Sequence, residues 1–209
     1  MNTQVLPSHY NATEYDEWHR WVSYWYQIHA VMRAAPSSIL EIGVGTRVVS
    51  HYLRERLGYD VTTFDFDAGL SPQVVGDVRE LGQYFAPGAF DCVCAFQVLE
   101  HLPYQDFLPT LAQLNQVARR SVIISLPHWG AILQFRIRLL RLRWCLAWGR
   151  KFTPPHTWHF DGEHYWEIGT RGYALKKVMR DVSQVLDIQR HYFCPDYPYH
   201  YFFECHVRK

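Results

Sequence analysis

The segment from Glu41 to Gly45 is the first place in the chain where residue types suggest chemistry. Gly43-Val44-Gly45 follows an apolar run typical of a strand and precedes a helical pattern. Glycine at such a step lets the backbone turn tightly and lets a ligand approach without meeting a Cβ atom. Asp65 lies 20 residues after Gly45, at the end of the next predicted strand, where a carboxylate can accept hydrogen bonds from both ribose hydroxyls. These residues predict a nucleoside-containing ligand, with Asp67 as a second candidate for the ribose contact.

Glu41 indicates the charge of that ligand. It stands at the carboxyl end of the first predicted strand, where we expect its side chain to point into the ligand crevice. A dinucleotide would bring a pyrophosphate there, which a carboxylate repels, whereas S-adenosylmethionine (SAM) brings an ammonium and a sulfonium, which a carboxylate attracts. Val48 also occupies the position of the third glycine of a dinucleotide motif. Both observations favour SAM over NAD(P), and an NAD(P)-dependent oxidoreductase is the alternative.

Short apolar runs alternate with helical patterns along the chain and must position these residues. Strands are predicted at 38–42, 61–64, 74–75, 90–96, 121–126, 186–193 and 199–207, and helices at 13–34, 46–57, 78–84, 104–118 and 170–185. This rhythm predicts an α/β fold with a Rossmann-like, seven-stranded, mostly parallel sheet and helices on both faces. One C-terminal strand is expected to be antiparallel, and an aromatic and basic insertion follows the fifth strand.

The same segments resemble, in their order, the motifs of class I SAM-dependent methyltransferases of the small-molecule type. Leu-Glu-Ile-Gly-Val-Gly-Thr at 40–46 resembles the first motif, and residues 61–65 resemble the second. Gly-Asp-Val at 76–78 resembles the step beside the adenine, and 90–101 resembles the fourth-strand motif with its Leu-Glu-His ending. The resemblance covers 37–127 well and 170–209 more loosely. It departs from the family at Arg47, where many members carry a small residue.

This resemblance implies a methyltransferase that uses SAM and releases S-adenosylhomocysteine. On the matching positions it assigns cofactor contacts to Glu41, Gly43, Gly45, Asp65, Phe66, Asp77, Val78 and Phe96. A SAM-binding subunit without turnover is an alternative that the motifs leave open.

Three of the twelve histidines are candidates for a general base that takes the proton of an acceptor hydroxyl. His101 follows the fourth strand and His128 the fifth, so both are expected at the carboxyl edge of the sheet, where ligands bind. His164, next to Glu163, lies in the insertion that would cover that edge. Each could equally be a hydrogen-bonded structural residue, and many members of the family need no dedicated base.

The insertion and the C-terminus carry the information on the acceptor. Residues 135–151 hold six basic residues, two tryptophans and no acid, and on a helix the basic residues would not share one face. A lid, a peripheral contact with anionic lipid and a site for a phosphorylated acceptor all remain open. The run 195–203 resembles the ending of methyltransferases associated with bacterial surface-glycan assembly, which implies O-methylation of a sugar or another small molecule. Methylation of RNA or protein is an alternative, which the segment Ala95-Phe96-Gln97-Val98 disfavours.

Composition bounds the remaining classes. The 209 residues suit one domain, divided into a helical cap (1–36), a SAM-binding core (37–127), the insertion (128–169) and a C-terminal helix and strand pair (170–209). The net charge of +1 makes a nucleic-acid partner unlikely. Five cysteines without a Cys-x-x-Cys pair argue against a structural zinc site, and we predict no metal. Without a signal-peptide pattern or a membrane span, we expect a cytoplasmic protein, at most peripheral at the inner membrane face. The oligomeric state is left open.

Overall fold

The strands and helices follow the chain in nearly the predicted order. The computed structural model describes residues 15, 17–139, 144–194 and 196–209, with side chains at all of these except 136–139 and 144–148. The described α-helices are α1 (Trp18–Ala34), α2 (Val48–His51), α3 (Tyr104–Val117) and α4 (Leu175–Val185). The strands are β1 (Ser38–Ile42), β2 (Asp60–Asp65), β3 (Val74–Val75), β4 (Phe90–Phe96), β5 (Ala118–Pro127), β6 (Ala131–Leu139), β7 (Trp144–Phe152), β8 (Leu186–Phe193) and β9 (His200–Val207).

Seven of these strands form one sheet in the order β3-β2-β1-β4-β5-β9-β8. The first five pair in parallel, and β9 pairs antiparallel with both β5 and β8. The predicted Rossmann-like sheet with a single antiparallel strand is therefore confirmed. The strand order reverses between β1 and β4, which opens a crevice at their carboxyl ends.

Apolar side chains cover both faces of the sheet, as the near-continuous apolar strands require. Alternate residues of β4 serve the two sides: Val93 and Ala95 pack in the cluster of α3 and α4, while Cys92 and Cys94 pack in the cluster of α1. All four side chains are buried. The helices are thus held against the two faces of the sheet.

Three predicted helices differ in their details. The helix predicted at 46–57 begins as α2 and continues as a π-helical turn at Tyr52–Arg56. The helix predicted at 78–84 is a 3-10 turn, Val78–Gln83. The helix predicted at 170–185 begins only at Leu175, because Gly172 has a φ of +89°, outside the right-handed helical region. The start of the first predicted helix lies outside the described residues, and α1 is described from Trp18.

The insertion is built from strands rather than from a helix. β6 and β7 pair antiparallel as a separate two-stranded sheet, with Ala131 opposite Phe152. The chain then returns to the end of β5, where Ile168 pairs with His128, and Trp166, Glu167 and Ile168 are fully buried. We call residues 153–169 the return segment. None of the helices in the described ranges is long and apolar enough to cross a bilayer.

Candidate functional site

A cavity of about 400 Å³ opens at the carboxyl ends of β1, β2 and β4. Its volume lies within the range of small-molecule sites. Seven of the eight residues predicted to contact a cofactor line it, namely Glu41, Gly43, Gly45, Asp65, Phe66, Val78 and Phe96. Further lining comes from α1, from His101 and His164, and from Tyr199 and His200. We call the part near Glu41 and Asp65 the cofactor end, and the part near His101 and His164 the acceptor end.

The turn between β1 and α2 forms the floor of the cofactor end. Gly43 has a φ of +78° and Gly45 a φ of +45°, both in the left-handed region that favours glycine. A Cβ atom at Gly43 would overlap the Cγ2 atom of Val98. Arg47, the departure from the family pattern, also has a left-handed backbone, with a φ of +65°, and its side chain is exposed. The unusual residue therefore lies at the edge of the turn and leaves the glycine floor intact.

Glu41 is a buried carboxylate with only 4% of its surface exposed. Its Oε2 atom has no hydrogen-bond partner among the described residues. Desolvation raises the pKa of Glu41 to about 7, although the Ser50 hydroxyl and Arg54 oppose the shift. Because burying a charge without a partner is unfavourable, the arrangement suits a ligand that brings a positive charge to this oxygen.

Asp65 is held in place by backbone N–H groups. Its Oδ2 accepts a hydrogen bond from the N–H of Val44 (2.8 Å), and its Oδ1 accepts one from the N–H of Asp67 (3.0 Å). Burial raises its pKa in spite of these bonds. Each carboxylate oxygen can accept a second hydrogen bond, so Asp65 keeps capacity for hydroxyl groups in the cavity. Asp67 also lines the cavity, but its Oδ1 accepts the N–H of Gly69 (2.8 Å).

Asp77 is the predicted cofactor residue that the structure places apart from the others. Its carboxylate caps the turn Val78–Gln83 by accepting the N–H of Arg79 (2.9 Å) and forms an ion pair with the Arg79 guanidinium (2.5 Å). This contact lowers the pKa of Asp77. Within the described part of the chain, its neighbours Gly76 and Val78 line the cavity and Asp77 does not.

At the acceptor end, two of the three predicted histidines come together. The ring centroids of His101 and His164 lie 5.0 Å apart in an edge-to-face arrangement. His101 stands on the 3-10 turn Leu99–His101 that follows β4, and His164 stands on the return segment. Desolvation and the neighbouring His164 lower the pKa of His101 to about 4. The imidazole of His101 is therefore neutral at physiological pH.

His128, the third predicted histidine, lies elsewhere. It is buried at the end of β5 and packs against Phe193 and Tyr201. Desolvation and Lys151 lower its pKa to about 4. His128 does not belong to the cavity lining found among the described residues, so its position gives no support to the predicted role as a base.

Several cavity residues have no signal in the sequence. Tyr24 and Gln27 reach the cavity from α1, and the Tyr24 hydroxyl is 2.8 Å from the Thr46 hydroxyl. His200 is buried, and its Nδ1 lies 2.6 Å from the hydroxyl of Ser23. These partners are 22 and 177 residues apart along the chain, so no local spacing could identify them. The Leu-Glu-His motif did include Glu100, but only as a neighbour of His101.

Comparisons with known proteins bear on this site. The model of a protein family described as a methyltransferase domain matches residues 10–174. A search of curated proteins found no match. Among solved structures, the chain is similar to the glycopeptide N-methyltransferase MtfA in complex with SAM (TM-score 0.55, 15% identity, 87% of this chain and 94% of that chain covered).

Two further structures are similar over nearly the whole chain. One is a SAM-dependent methyltransferase from Clostridium acetobutylicum ATCC 824 (TM-score 0.60, 7% identity, 97% and 96% covered). The other is the 1,6-didemethyltoxoflavin-N1-methyltransferase from Burkholderia thailandensis with S-adenosylhomocysteine (TM-score 0.55, 15% identity, 98% and 92% covered). At such low identities these likenesses concern the fold.

Proposed function

Because the chain belongs to the methyltransferase domain family, we propose that this class I SAM-dependent methyltransferase methylates a hydroxyl group of a sugar, a glycan or another small molecule. The observation that carries the cofactor assignment is the buried Glu41 carboxylate with its unpartnered Oε2 atom, beside the glycine floor and Asp65. The membership of the family removes the alternative of an NAD(P)-dependent oxidoreductase.

The residues present fit SAM in charge and in shape. Glu41 would attract its cationic amino acid end, and Asp65 would accept hydrogen bonds from its ribose hydroxyls. Phe66 and Val78 would border the adenine. The glycine floor would let the backbone approach the ligand closely.

Methyl transfer needs an aligned nucleophile and an environment that excludes water. SAM, when bound, supplies a methyl carbon that its sulfonium already activates. The chain contributes α1 and the return segment, which cover the cavity, and a polar acceptor end at His101 and His164. We assign orientation of the acceptor hydroxyl to this end, where its proton can be released.

The sugar assignment rests on the C-terminal run, which resembles that of glycan-associated methyltransferases. The solved structures MtfA and the toxoflavin enzyme are N-methyltransferases by name, so an amine acceptor is the second candidate. One observation favours it: Glu100, which lies beside His101 just behind the cavity lining, is fully buried, and neither carboxylate oxygen has a hydrogen-bond partner among the described residues. A buried carboxylate would attract an ammonium group.

A screen with radiolabelled SAM tests the proposed function. Sugars, lipid-linked glycans, phenols, amines, RNA and a protein mixture serve as acceptors, and calorimetry with SAM and with NADH precedes the screen. We expect SAM binding and label transfer to a hydroxyl acceptor. Transfer to amines alone would replace the proposal by N-methylation, and the absence of SAM binding would contradict it altogether.

We further propose that the hairpin of β6 and β7 contacts an anionic membrane surface on the cytoplasmic side. Leu133 and Phe135 are exposed and alternate along β6, and the exposed Phe152 pairs with Ala131 on the same face. Arg150, opposite Leu133, adds positive charge at this surface.

Excision of the hairpin tests this contact. Ile132 and Lys151 are cross-strand partners, so residues 133–150 can be replaced by an Asn-Gly turn that retains Lys151. We expect the intact protein to sediment with phosphatidylglycerol vesicles at low salt, and the excised variant to remain in the supernatant with unchanged SAM affinity. An intact protein that does not sediment would disprove the contact.

A further inference from the structure

Two histidines and a buried carboxylate meet at the acceptor end. Glu100, His101 and His164 each offer one ligand atom, and these three atoms lie within 4.8 Å of one another. Glu100 and His101 stand on the turn after β4, whereas His164 comes from the return segment. The backbone N–H of Tyr165 donates to the carbonyl of Glu100 (2.9 Å), which fixes the two segments against each other.

Hydrogen bonds orient both imidazoles. Nδ1 of His101 lies 3.0 Å from the carbonyl oxygen of Glu163, and Nδ1 of His164 lies 3.0 Å from Oε1 of Glu167. A carbonyl oxygen and a carboxylate accept hydrogen bonds, so both Nδ1 atoms carry a hydrogen, and Nε2 is the atom through which each ring would bind an ion. Histidines that bind metals almost always donate their other N–H group to such an acceptor.

The carboxylate of Glu100 lacks compensation. The residue is fully buried, and neither of its oxygens has a hydrogen-bond partner within the described ranges. Glu167, also fully buried, has an unpartnered Oε2 atom, while its Oε1 accepts from Tyr199 and His164. Two buried carboxylates at one place are unfavourable unless one of them is protonated or a cation lies between them.

We propose that Glu100, His101 and His164 bind one divalent transition-metal ion of the Zn²⁺, Co²⁺ or Fe²⁺ class. Two imidazole nitrogens and one carboxylate form a donor set typical of these ions, whereas Mg²⁺ and Ca²⁺ prefer oxygen donors throughout. Three protein ligands leave at least one coordination position for another group. His101 and His164 line the cavity, so that position is accessible to an acceptor.

The ion would explain how a hydroxyl becomes nucleophilic at this site, and this consequence rests on the proposed O-methylation. Coordination of the acceptor oxygen helps its proton to leave to solvent. The acceptor oxygen then forms a bond to the methyl carbon while the bond between that carbon and the sulfur breaks. The electron pair of the broken bond stays on the sulfur of S-adenosylhomocysteine. His101 and His164 are ligands in this arrangement rather than bases.

Titration of the EDTA-treated protein with Co²⁺ tests the site, with the visible absorption of the bound ion as the readout and Zn²⁺ as the competitor. We expect one ion per chain. Glu100→Gln and His164→Gln should weaken binding at least a hundredfold. Glu167→Gln removes the carboxylate that orients His164 and leaves the three proposed ligands in place, so it should weaken Co²⁺ binding by about ten- to a hundredfold. His206→Gln, at an exposed histidine, is the matched control and should bind as the unaltered protein does.

Circular dichroism and SAM calorimetry accompany each titration. If Glu100→Gln does not fold, His164→Gln and Glu167→Gln carry the comparison. Equal Co²⁺ binding by these variants and by His206→Gln, or no binding by the unaltered protein, would overturn the metal site. SAM binding without metal binding would overturn the metal site alone, and metal binding without hydroxyl methylation would overturn the proposed acceptor alone.

Discussion

The cofactor end and the acceptor end of the cavity are built in different ways. The cofactor end is formed by the ends of β1, β2 and β4, all within residues 37–127. It depends on the backbone turn Gly43–Gly45 and on backbone N–H groups that hold Asp65. The acceptor end combines α1, the turn after β4, the return segment and the residues before β9. The first depends on local conformation and the second on long-range packing, so substitutions at the two ends should separate binding of SAM from transfer of its methyl group.

Gly43→Ala should have the largest effect, at the cofactor end. Alanine at this position would be strained by the left-handed backbone, and its Cβ atom would overlap Val98. Together these two effects should lower the free energy of unfolding by about 2–4 kcal/mol. Urea unfolding should show this loss, and calorimetry should show strongly weakened SAM binding. Gly58→Ala is the matched control, because Gly58 has a similar φ of +72° but nothing within 4 Å of its added Cβ. An equal loss in both variants would show that the contact with Val98 is unimportant.

His164→Gln should have the next largest effect, at the acceptor end. We expect methyl transfer to fall about a hundredfold, because the acceptor proton is no longer released efficiently, while the dissociation constant of SAM changes less than threefold. Turnover and calorimetry on the same preparation measure both. His128→Gln should reduce stability more than turnover, since His128 lies outside the lining. A larger loss of turnover in His128→Gln than in His164→Gln would reverse the assignment.

Glu41→Gln should weaken SAM binding by about ten- to a hundredfold, since a hydrogen bond to a charged group contributes about 1.5–3 kcal/mol. The protein without SAM should lose no stability at pH 8, because the substitution removes a buried, poorly compensated carboxylate. Calorimetry and thermal unfolding provide the two readouts. Glu80→Gln, at an exposed carboxylate outside the cavity, is the control and should leave both unchanged. Unaltered SAM binding in Glu41→Gln would contradict the charge argument.

The pH dependence of SAM affinity should show the smallest effect. Burial raises the pKa of Glu41 from 4.5 to about 7, with Asp65 raising it further and Ser50, Arg54 and Arg47 lowering it. If only the ionised carboxylate binds the cation, affinity should rise roughly eightfold from pH 6 to pH 7.5. The folding stability of the protein without SAM should change in the opposite direction. The contribution of Glu41 to stability is fully present below pH 4.5 and is lost as the pH rises through about 7. Calorimetry across this range should give a flat profile for Glu41→Gln.

The fold could be predicted from the sequence because the spacing of apolar residues within each short segment indicates whether that segment is a strand or a helix. Apolar runs separated by helical patterns indicate parallel strands, and all seven predicted strands of the main sheet are present within one or a few residues. The elements of the insertion were not predicted, because its basic residues fit no helical face and the sequence offered no strand pattern there, whereas the chain forms β6 and β7. A period test cannot identify a hairpin when the sequence contains no evident turn signal.

Only part of the site could be predicted, because the sequence indicates residues in contiguous segments but not contacts between distant ones. The sequence alone determined the family and the sheet. It also predicted the residues of the cofactor end, since Glu41, the glycines and Asp65 belong to contiguous segments whose backbone conformation follows from their own residues. Only the tertiary structure decided which histidines meet. It placed His164 beside His101 and Glu100, which lie 63 and 64 positions earlier in the chain, and it buried His128 elsewhere. Contacts at such separations depend on how a return segment packs, and that packing leaves no spacing in the sequence.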